Sequence, residues 1–378
     1  MTFLPLSDNE RRVMLSIMKN PEHSDKDLSE SIEMNLYTFN KIKNALGRKD
    51  LMRRYIVPNY NLTGFELMAV TSGRNIDNFL NPSSNREFVG SLHKEIPTRF
   101  LFTLMEHHQG LGIHALEDYT SLKRGLQMKQ AIINRLQIKV GEMSHTLFSF
   151  RDADFPRFFD LEPLMERVYG EGLRIPKLEP ENPAQRMCSI TWRDFFHIPA
   201  GDRPDLDELS RKVLLNLVKY PDRSDKTLSE DLGISRYKAR KIREELFVDG
   251  FVKTTVIPNY FELGFKVIMF AHFSIRNIDD VREFLAPLEE GGYPRIIFLV
   301  MDELEGAGMG LFPDLEEATR MYQKIQMMLG DSNAMDRNPT VQMISLPNCD
   351  IKSPFFFSKP LEHMGCWDID VKALQRML

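Results

Sequence analysis

The chain has 378 residues, of which 42% are hydrophobic and 27% are charged, and its formal net charge is −5. This length suits two to four domains, and this composition excludes a largely disordered protein. No run of about 18 apolar residues and no secretory leader is visible, so we expect no membrane span and a cytoplasmic location. The three cysteines form no metal-binding spacing, and we expect neither a metal nor a cofactor.

The chain contains a long internal repeat. Residues 6–65 align without a gap with residues 206–265, and 21 of these 60 positions are identical. The heptapeptide SDKDLSE of the first copy, for example, returns as SDKTLSE. A period near 200 residues indicates a tandem duplication of domains, because the repeats of a solenoid are about 20–50 residues long.

Residues 1–62 are predicted to form a winged helix-turn-helix domain, in which a β-hairpin, the wing, follows three helices. The third predicted helix, LYTFNKIKNALGRK, would turn Leu36 towards a thymine methyl and Asn40 towards an adenine edge. Few positive charges accompany them, so we expect this copy to bind DNA more weakly than the second. The candidates for DNA contact in this copy are Leu36, Tyr37, Asn40, Lys41 and Lys43, with Arg53 and Arg54 in the predicted wing.

Residues 63–150 alternate differently and predict a ferredoxin-like βαββαβ domain for ligand binding and dimerisation. The strands are FELMAVTSG, RFLFTLMEH, IHALED and MSHTLFSF, and a helix is expected around residues 77–94. Residues 151–204 belong to neither kind of domain. They begin with the aromatic arm FPRFFDLEPL, which would expose much apolar area alone, so we expect it to pack on a neighbouring sheet or subunit.

Residues 205–262 are predicted to form a second winged helix-turn-helix domain. Ser224 should cap its second helix, Gly233 should end that helix, and Ser235 should cap the third helix, RYKARKIREELFV. Three arginines of the third helix share one face, opposite an apolar anchor, and this helix is the one that such a domain places in the major groove. The candidates for DNA contact in this copy are Arg236, Tyr237, Lys238, Arg240, Lys241, Arg243 and, in the wing, Lys253.

Residues 263–350 repeat the ferredoxin-like pattern, and residues 351–378 form a C-terminal arm with SPFFFSKPL. The fold class predicted for the whole chain is therefore α+β, with two winged helix-turn-helix and two ferredoxin-like domains. We expect the two aromatic arms to be able to join two chains.

The segments LSEDLGISRYKARKIREEL and GFVKTTVIPNYFELGF, with the fainter LSDNERRVMLSIM and VPNYNLTGF, resemble the Lrp/AsnC family of transcription regulators. The resemblance covers most of both halves, although a fused pair departs from the usual single unit. It implies double-stranded DNA and a small-molecule effector as partners, and a homodimer or higher oligomer. The effector candidates, in the turns between the second and third strands, are Gly110, Gly112, Glu303, Glu305, Gly306 and Gly308.

Other classes of function stay open. Enzymes that decarboxylate iron tetrapyrroles also resemble Lrp/AsnC units and come as paired subunits, with histidines and arginines in the sheet domain. Because His272 is the only histidine of the second sheet domain, and because the third helix carries the basic face of Arg236, Arg240 and Arg243, we expect a regulator and no enzyme. A co-regulator that binds an effector without contacting DNA is a third reading. His107, His108 and His114 are interpreted as surface residues and not as metal ligands.

Overall fold

The computed structural model describes residues 3–76, 100–106, 109–135, 140–198, 206–277, 279, 281, 293–330, 339–349 and 355–362. The chain forms two compact units, Met1–Asn59 with Ala153–Leu346 and Tyr60–Asp152 with Pro347–Leu378. These units do not follow chain order. The first unit joins both predicted heads to the sheet of the second copy, whereas the second unit joins the sheet of the first copy to the C-terminal arm.

Each predicted head contains three helices in the first unit. Those of the first copy are α1 (Asp8–Lys19), α2 (Asp25–Ser31) and α3 (Leu36–Arg48), and those of the second are α8 (Glu208–Lys219), α9 (Asp225–Leu232) and α10 (Arg236–Val248). The predicted caps are confirmed. The side chains of Ser224 and Ser235 accept hydrogen bonds from backbone N–H groups of their own first turns. Gly233 ends α9 with a φ of 64°, a conformation that glycine adopts without steric cost.

The strand after each third helix pairs with its counterpart in the other copy. Strand β1 (Met52–Pro58) runs antiparallel to β7 (Val252–Pro258), and the ladder is centred on Tyr55 opposite Thr255. Since those two residues are equivalent in the repeat, the ladder has a local twofold symmetry like that of a homodimer interface. The N–H groups of Asn59 and Asn259 extend it by donating to the carbonyls of Phe251 and Leu51, respectively.

This pairing corrects the predicted wings. Neither copy forms a hairpin of its own, because each contributes one strand to a two-stranded sheet that both copies share. The physical reason is that a lone strand has unpaired N–H and C=O groups along both of its edges. Pairing with the equivalent strand of the other copy satisfies the groups along one of these edges.

A buried ion pair crosses this junction. The Glu22 carboxylate contacts the Arg54 guanidinium and accepts a hydrogen bond from the Thr254 hydroxyl, and its side chain is only 7% exposed. A carboxylate at that depth needs such partners, because an unpaired buried charge costs several kcal/mol. The contact therefore ties the first head to the strand of the second.

The second copy's sheet has five strands. The strands are β8 (Val267–Ser274), β9 (Ile296–Met301), β10 (Glu305–Phe312) and β11 (Thr340–Ser345), with β6 (Asp154–Phe158) added at one edge in the order β11-β8-β10-β9-β6. All neighbours are antiparallel. Helix α11 (Leu315–Gly330) covers one face, where Ala318 packs on Val267, Met269 and Phe312.

The second unit contains the first copy's sheet. Its strands are β2 (Leu67–Ile76), β3 (Phe100–Glu106), β4 (Gln109–Leu116) and β5 (Val140–Ser149), in the order β3-β4-β2-β5, and α4 (Tyr119–Arg135) covers one face. The α+β class agrees with the sequence. The helix expected around residues 77–94 lies outside the described residues, and so do most residues between β8 and β9 of the second copy, so the complete βαββαβ pattern stays a prediction for both copies.

Each aromatic arm completes the sheet of the other copy. In the first unit, β6 from the first copy's arm pairs with β9, placing Phe158 opposite Phe298. In the second unit, the C-terminal arm does the same in outline, since the N–H of Phe356 donates to the carbonyl of Leu101 in β3. Both contacts lie within one chain, so they give no support to the expectation that the arms join two chains.

The segment between the copies builds the remaining core of the first unit. It contributes α5 (Glu162–Tyr169), α6 (Pro183–Ser189) and α7 (Trp192–Phe196). Near the C-terminus, the last described elements are a short 3₁₀ helix (Leu346–Asn348) and α12 (Lys359–Glu362). Phe158 lies in a cage of aromatic rings that includes Trp192 and Phe196, with centroid separations of 5.5 and 4.9 Å. Among the described helices, none has the length and apolar character that a membrane span requires.

Candidate functional site

The predicted DNA-contact residues of the second head lie on α10. Arg236, Tyr237 and Lys238 are exposed in its first turn, and Tyr237 retains 78% of its accessible surface. The basic residues that follow have acidic partners. The partners are Glu244 for Arg240 at 2.8 Å, Glu245 for Lys241 at 3.6 Å and Asp225 for Arg243 at 3.3 Å. The basic face is therefore partly neutralised within the head.

The first head presents fewer charges. Leu36 and Tyr37 are exposed, at 41% and 77% of their accessible surface, and Lys41 is exposed as well. Asn40 is half-buried, and Lys43 forms an ion pair with Asp25 at 2.7 Å. The structure thus places polar and apolar groups on this helix face, with Lys43 already engaged.

The wing residues are engaged within the protein. Lys253 is only 5% exposed, donates a hydrogen bond to the Ile190 carbonyl and lies 4.5 Å from the centre of the Trp192 ring, so the structure gives no support to its predicted contact with DNA. Arg54 is committed to Glu22 in the head junction. Arg53 stays at the surface but is held by Asp50 at 2.6 Å. Because the strands of the two wings pair with each other, neither wing extends from its head as a separate hairpin.

The effector candidates of the second copy lie at the start of β10. Glu303 is exposed in the turn before that strand, and Glu305 lies 3.7 Å from the Nε2 atom of His272. Gly306 faces the Phe273 ring so closely that a Cβ atom would lie 2.3 Å from it, and Gly308 is packed against Leu299. Close packing therefore explains these two glycines without a ligand.

The first copy differs at this place. Gly110 and Gly112 lie within β4 and not in a turn. A Cβ atom on Gly112 would lie 2.9 Å from the Thr71 hydroxyl and 3.0 Å from Nε2 of His114. The glycine is thus required by the close approach of two polar side chains, and those side chains belong to a larger group.

That group is a cluster of Thr71, His114, Lys129 and His145, which we call the imidazole–lysine cluster. It lies on the sheet face covered by α4, where Thr71 is directly opposite His145 on the adjacent strand. The Thr71 hydroxyl is 3.2 Å from Nε2 of His114 and also donates to the Gly112 carbonyl. With its one proton given to that carbonyl, the hydroxyl accepts from His114, which must then carry a hydrogen on Nε2.

Burial governs the charge of the cluster. Desolvation, followed by the positive charge of Lys129, lowers the pKa of His114 to about 3 and that of His145 to about 4. Desolvation alone lowers the pKa of Lys129 to about 8. At neutral pH both imidazoles are therefore uncharged, whereas the lysine keeps most of its proton.

The cluster also has unused bonding capacity. Within the described parts of the chain, Nδ1 of His145 is buried without a hydrogen-bond partner, and no carboxylate forms an ion pair with Lys129. Phe100 packs on His114 with ring centroids 4.2 Å apart, so one side of that imidazole is apolar. A buried polar group without a partner costs about 1–3 kcal/mol, so a cluster that serves packing alone would be poorly designed.

The second copy shows what packing alone requires. The strand registers show which strand residues of the two copies are equivalent, and the helix caps Asp118 and Asp314 do the same for the helices. Each residue of the cluster therefore has an equivalent position in the second copy. The residues Ala271, Gly310, Ile325 and Val341 take the places of Thr71, His114, Lys129 and His145. The two copies therefore differ at these positions, which hold apolar or small residues in the second copy and three titratable groups in the first.

Sequence reasoning missed this cluster. It counted histidines in the second copy, and it grouped His114 with His107 and His108, which lie outside the described residues. The structure brings His114 together with His145 from the strand MSHTLFSF. The signal that could have found it is the difference between the residues at equivalent strand positions of the two copies. In the part of the chain that the structure describes, no three potential metal ligands come together.

The cluster suits anion binding and proton transfer. A carboxylate that approaches Lys129 finds a partly buried cation, and its charge raises the pKa of both imidazoles towards neutrality. Imidazoles that gain a proton as the anion enters are suited to general acid catalysis.

No protein-family model and no curated protein matches the chain. Among solved structures, siroheme decarboxylase NirDL in co-complex with an iron-uroporphyrin III analogue matches 98% of this chain and 99% of its own, with a TM-score of 0.48 and 12% identity. An AsnC family transcriptional regulator from Agrobacterium tumefaciens matches 37% of this chain and 90% of its own, with a TM-score of 0.30 and 18% identity. A transcriptional regulator from Neisseria meningitidis in complex with L-Met matches 37% and 89%, with a TM-score of 0.32 and 16% identity. At these identities the likeness concerns the fold alone.

The comparisons correct one expectation. The sequence led us to expect no enzyme, and this is wrong against the matches to siroheme decarboxylase NirDL, which is an enzyme and is similar over the full chain. The regulators match about 37% of the chain. DNA contact by the two heads stays a prediction that no observation tests.

The depressed histidine pKa values predict sensitivity to acid. Because the unfolded state takes up protons near pH 6.5 and the folded state only near pH 3–4, stability is complete above about pH 6.5 and falls as the pH decreases. Between pH 6.5 and 5 we expect a loss of roughly 1–2 kcal/mol per histidine, measured by urea unfolding at both pH values. His145→Val should reduce this loss, whereas His197→Gln at the exposed surface should not. An equal pH dependence in all three proteins would contradict the assignment.

Proposed function

We propose that the chain is a decarboxylase acting on an iron tetrapyrrole of the siroheme class, with the imidazole–lysine cluster as its reaction site. The observation that carries the proposal is the presence of His114, Lys129 and His145 at positions where the second copy has only apolar or small residues. The class of substrate comes from siroheme decarboxylase NirDL, whose structure contains an iron-uroporphyrin III analogue.

The reaction fits the groups of the cluster. In decarboxylation of an acetate side chain, the bond between the methylene carbon and the carboxylate breaks and carbon dioxide leaves. The bonding electron pair stays on the methylene carbon, with delocalisation into the macrocycle, and a proton added there gives a methyl group. Overall, one carboxylate and one proton become one methyl group and carbon dioxide, so no oxidant is needed. The protein must therefore hold a carboxylate and deliver one proton.

We assign these two tasks to different residues. Lys129, mostly protonated at neutral pH, attracts the carboxylates of the substrate. His145 transfers the proton, because its Nδ1 atom is buried with no hydrogen-bond partner in the described residues. Thr71 holds His114 in one orientation through its contact with Nε2. His114 is then the second imidazole that contacts the substrate. Helix α4 covers this sheet face, and His114, Lys129 and His145 are only partly exposed, which strengthens their electrostatic contacts relative to those of a fully solvated site.

The test is release of carbon dioxide from siroheme or an iron-uroporphyrin III analogue, with the product identified by mass spectrometry. We expect turnover by the wild-type protein and a decrease in kcat of about 100-fold or more for His145→Gln, the usual effect of losing a general acid. The control is His272→Gln, which removes the imidazole of the other sheet and should change kcat by less than about twofold. Absence of turnover, or equal losses in both variants, would contradict the proposal.

A second candidate function is DNA binding through α10. The specific observation is that Arg236, Tyr237 and Lys238 are exposed in a first turn that contains no acidic residue. This arrangement offers charge and a planar side chain to a groove without an internal competitor. The first head has a less basic face, as the engaged Lys43 shows.

The corresponding prediction concerns duplexes selected from a random pool. Arg236→Ala should raise the dissociation constant by the equivalent of about 1–3 kcal/mol at constant salt, and Asn40→Ala should raise it less. A larger effect of Asn40→Ala would reverse the ranking of the two heads. If no duplex binds and a small ligand stabilises the chain, the co-regulator reading is favoured.

A further inference from the structure

The first unit contains a second polar site that is separate from the imidazole–lysine cluster. It is a cavity of about 1030 Å³ formed by the end of α1, β6, α5, the segment 170–193 and β7. Most of its wall comes from the segment between the copies, so the duplication itself does not explain it. This volume matches a site for a small organic molecule, since such sites measure about 300–1,000 Å³.

Two cations in the cavity wall are almost completely buried. Arg157 is 3% exposed and Lys253 is 5% exposed. Lys253 donates to the Ile190 carbonyl and faces the Trp192 ring, and in the described parts of the chain no carboxylate forms an ion pair with it. Buried lysines are rare unless they are paired, so an ammonium group here needs a compensating anion.

The acidic side of the cavity is partly neutral. Burial first, and then the nearby carboxylates of Asp160 and Glu166, raises the pKa of Glu162 to about 7. Of the other acidic groups, Glu166 contacts Lys19, and Asp160 lies 3.9 Å from the Arg157 guanidinium. Near neutral pH the cavity wall therefore presents Lys253, the Arg157–Asp160 pair and the Glu162 carboxyl group, which readily takes up a proton.

The equivalent position in the first copy behaves differently. Arg53 corresponds to Lys253 in the repeat, yet its side chain is 54% exposed and is paired with Asp50 at the surface. The burial of Lys253 is therefore not a requirement of the strand ladder, whose symmetry would impose it on both copies. It arises because Trp192 and Ile190 of the intervening segment contact Lys253 in the second copy.

We propose that this cavity binds a small anion with a carboxylate or phosphate group, and that Lys253 and Arg157 are its cationic contacts. Glu162, which also lines the cavity, favours binding when it is protonated. Carboxylates and phosphates share this recognition chemistry, since both accept charge-assisted hydrogen bonds from buried cations. The site lies in the first unit, so the inference does not depend on the proposed decarboxylase activity.

The test is calorimetric titration of the full-length chain with inorganic phosphate and, in a separate arm, with citrate. We expect one of the two probes to bind at pH 7. The probe that binds shows whether the site prefers a phosphate or a carboxylate ligand. Lys253→Met should raise the dissociation constant about tenfold or more, as the loss of one charge-assisted hydrogen bond does. The control Lys212→Met removes an exposed lysine whose partner is Glu208, and it should leave the dissociation constant unchanged.

A second variant should bind the anion more tightly instead of more weakly. It keeps the test decisive if Lys253→Met fails to fold. Glu162→Gln removes the negative charge, so at pH 8 it should bind the same anion several-fold more tightly than the wild-type protein does. Binding by the wild-type protein should weaken above about pH 8, where Lys253 loses its proton beside Glu162, Asp160, Lys177 and Cys188. No binding of either probe at concentrations on the order of 10 mM, or equal affinities in wild type, Lys253→Met and Glu162→Gln, would overturn the proposal. His145→Gln should bind normally, which separates this result from failure of the decarboxylase assay.

Discussion

The antiparallel ladder between β1 and β7 is the contact on which the first unit depends. Each copy supplies one strand, and the strands satisfy each other's backbone groups around the centre of Tyr55 and Thr255. A homodimer obtains such a ladder by mass action, but here both strands are in one chain and the cost of association is largely removed. Both helical heads are attached to this ladder, and the buried contact of Glu22 with Arg54 and Thr254 joins them across it.

Fusion of the copies also allows them to diverge. In a homodimer any substitution appears twice, whereas here one sheet has apolar or small residues at the four positions where the other has the imidazole–lysine cluster. The apolar version, with Ile325 and Val341, satisfies the demands of packing. The polar version leaves Nδ1 of His145 without a described partner and Lys129 without a described carboxylate, so it bears a cost in stability. Such a cost is typical of sites that are kept for function.

Local features of the fold could be predicted from sequence, and long-range ones could not. Helix starts and ends at Ser224, Gly233 and Ser235 follow from side-chain capping and backbone conformation, which are properties of a few neighbouring residues. The partner of β1 could not be predicted, because its alternation suits a hairpin as well as an exchange between copies. Burial of Lys253 depends on Trp192, which is distant in sequence. The cluster became visible only when the two copies were compared by strand register.

The central claim is that the imidazole–lysine cluster serves chemistry and not packing, and replacing its residues by those of the second copy tests this most directly. The double variant Lys129→Ile and His145→Val should keep or increase the free energy of unfolding in urea at pH 7, within about 0.5 kcal/mol of the wild-type value or above it, because apolar groups replace poorly satisfied buried polar ones. The same variant should lose release of carbon dioxide from the iron tetrapyrrole. A variant destabilised by several kcal/mol that retains wild-type turnover would contradict the account.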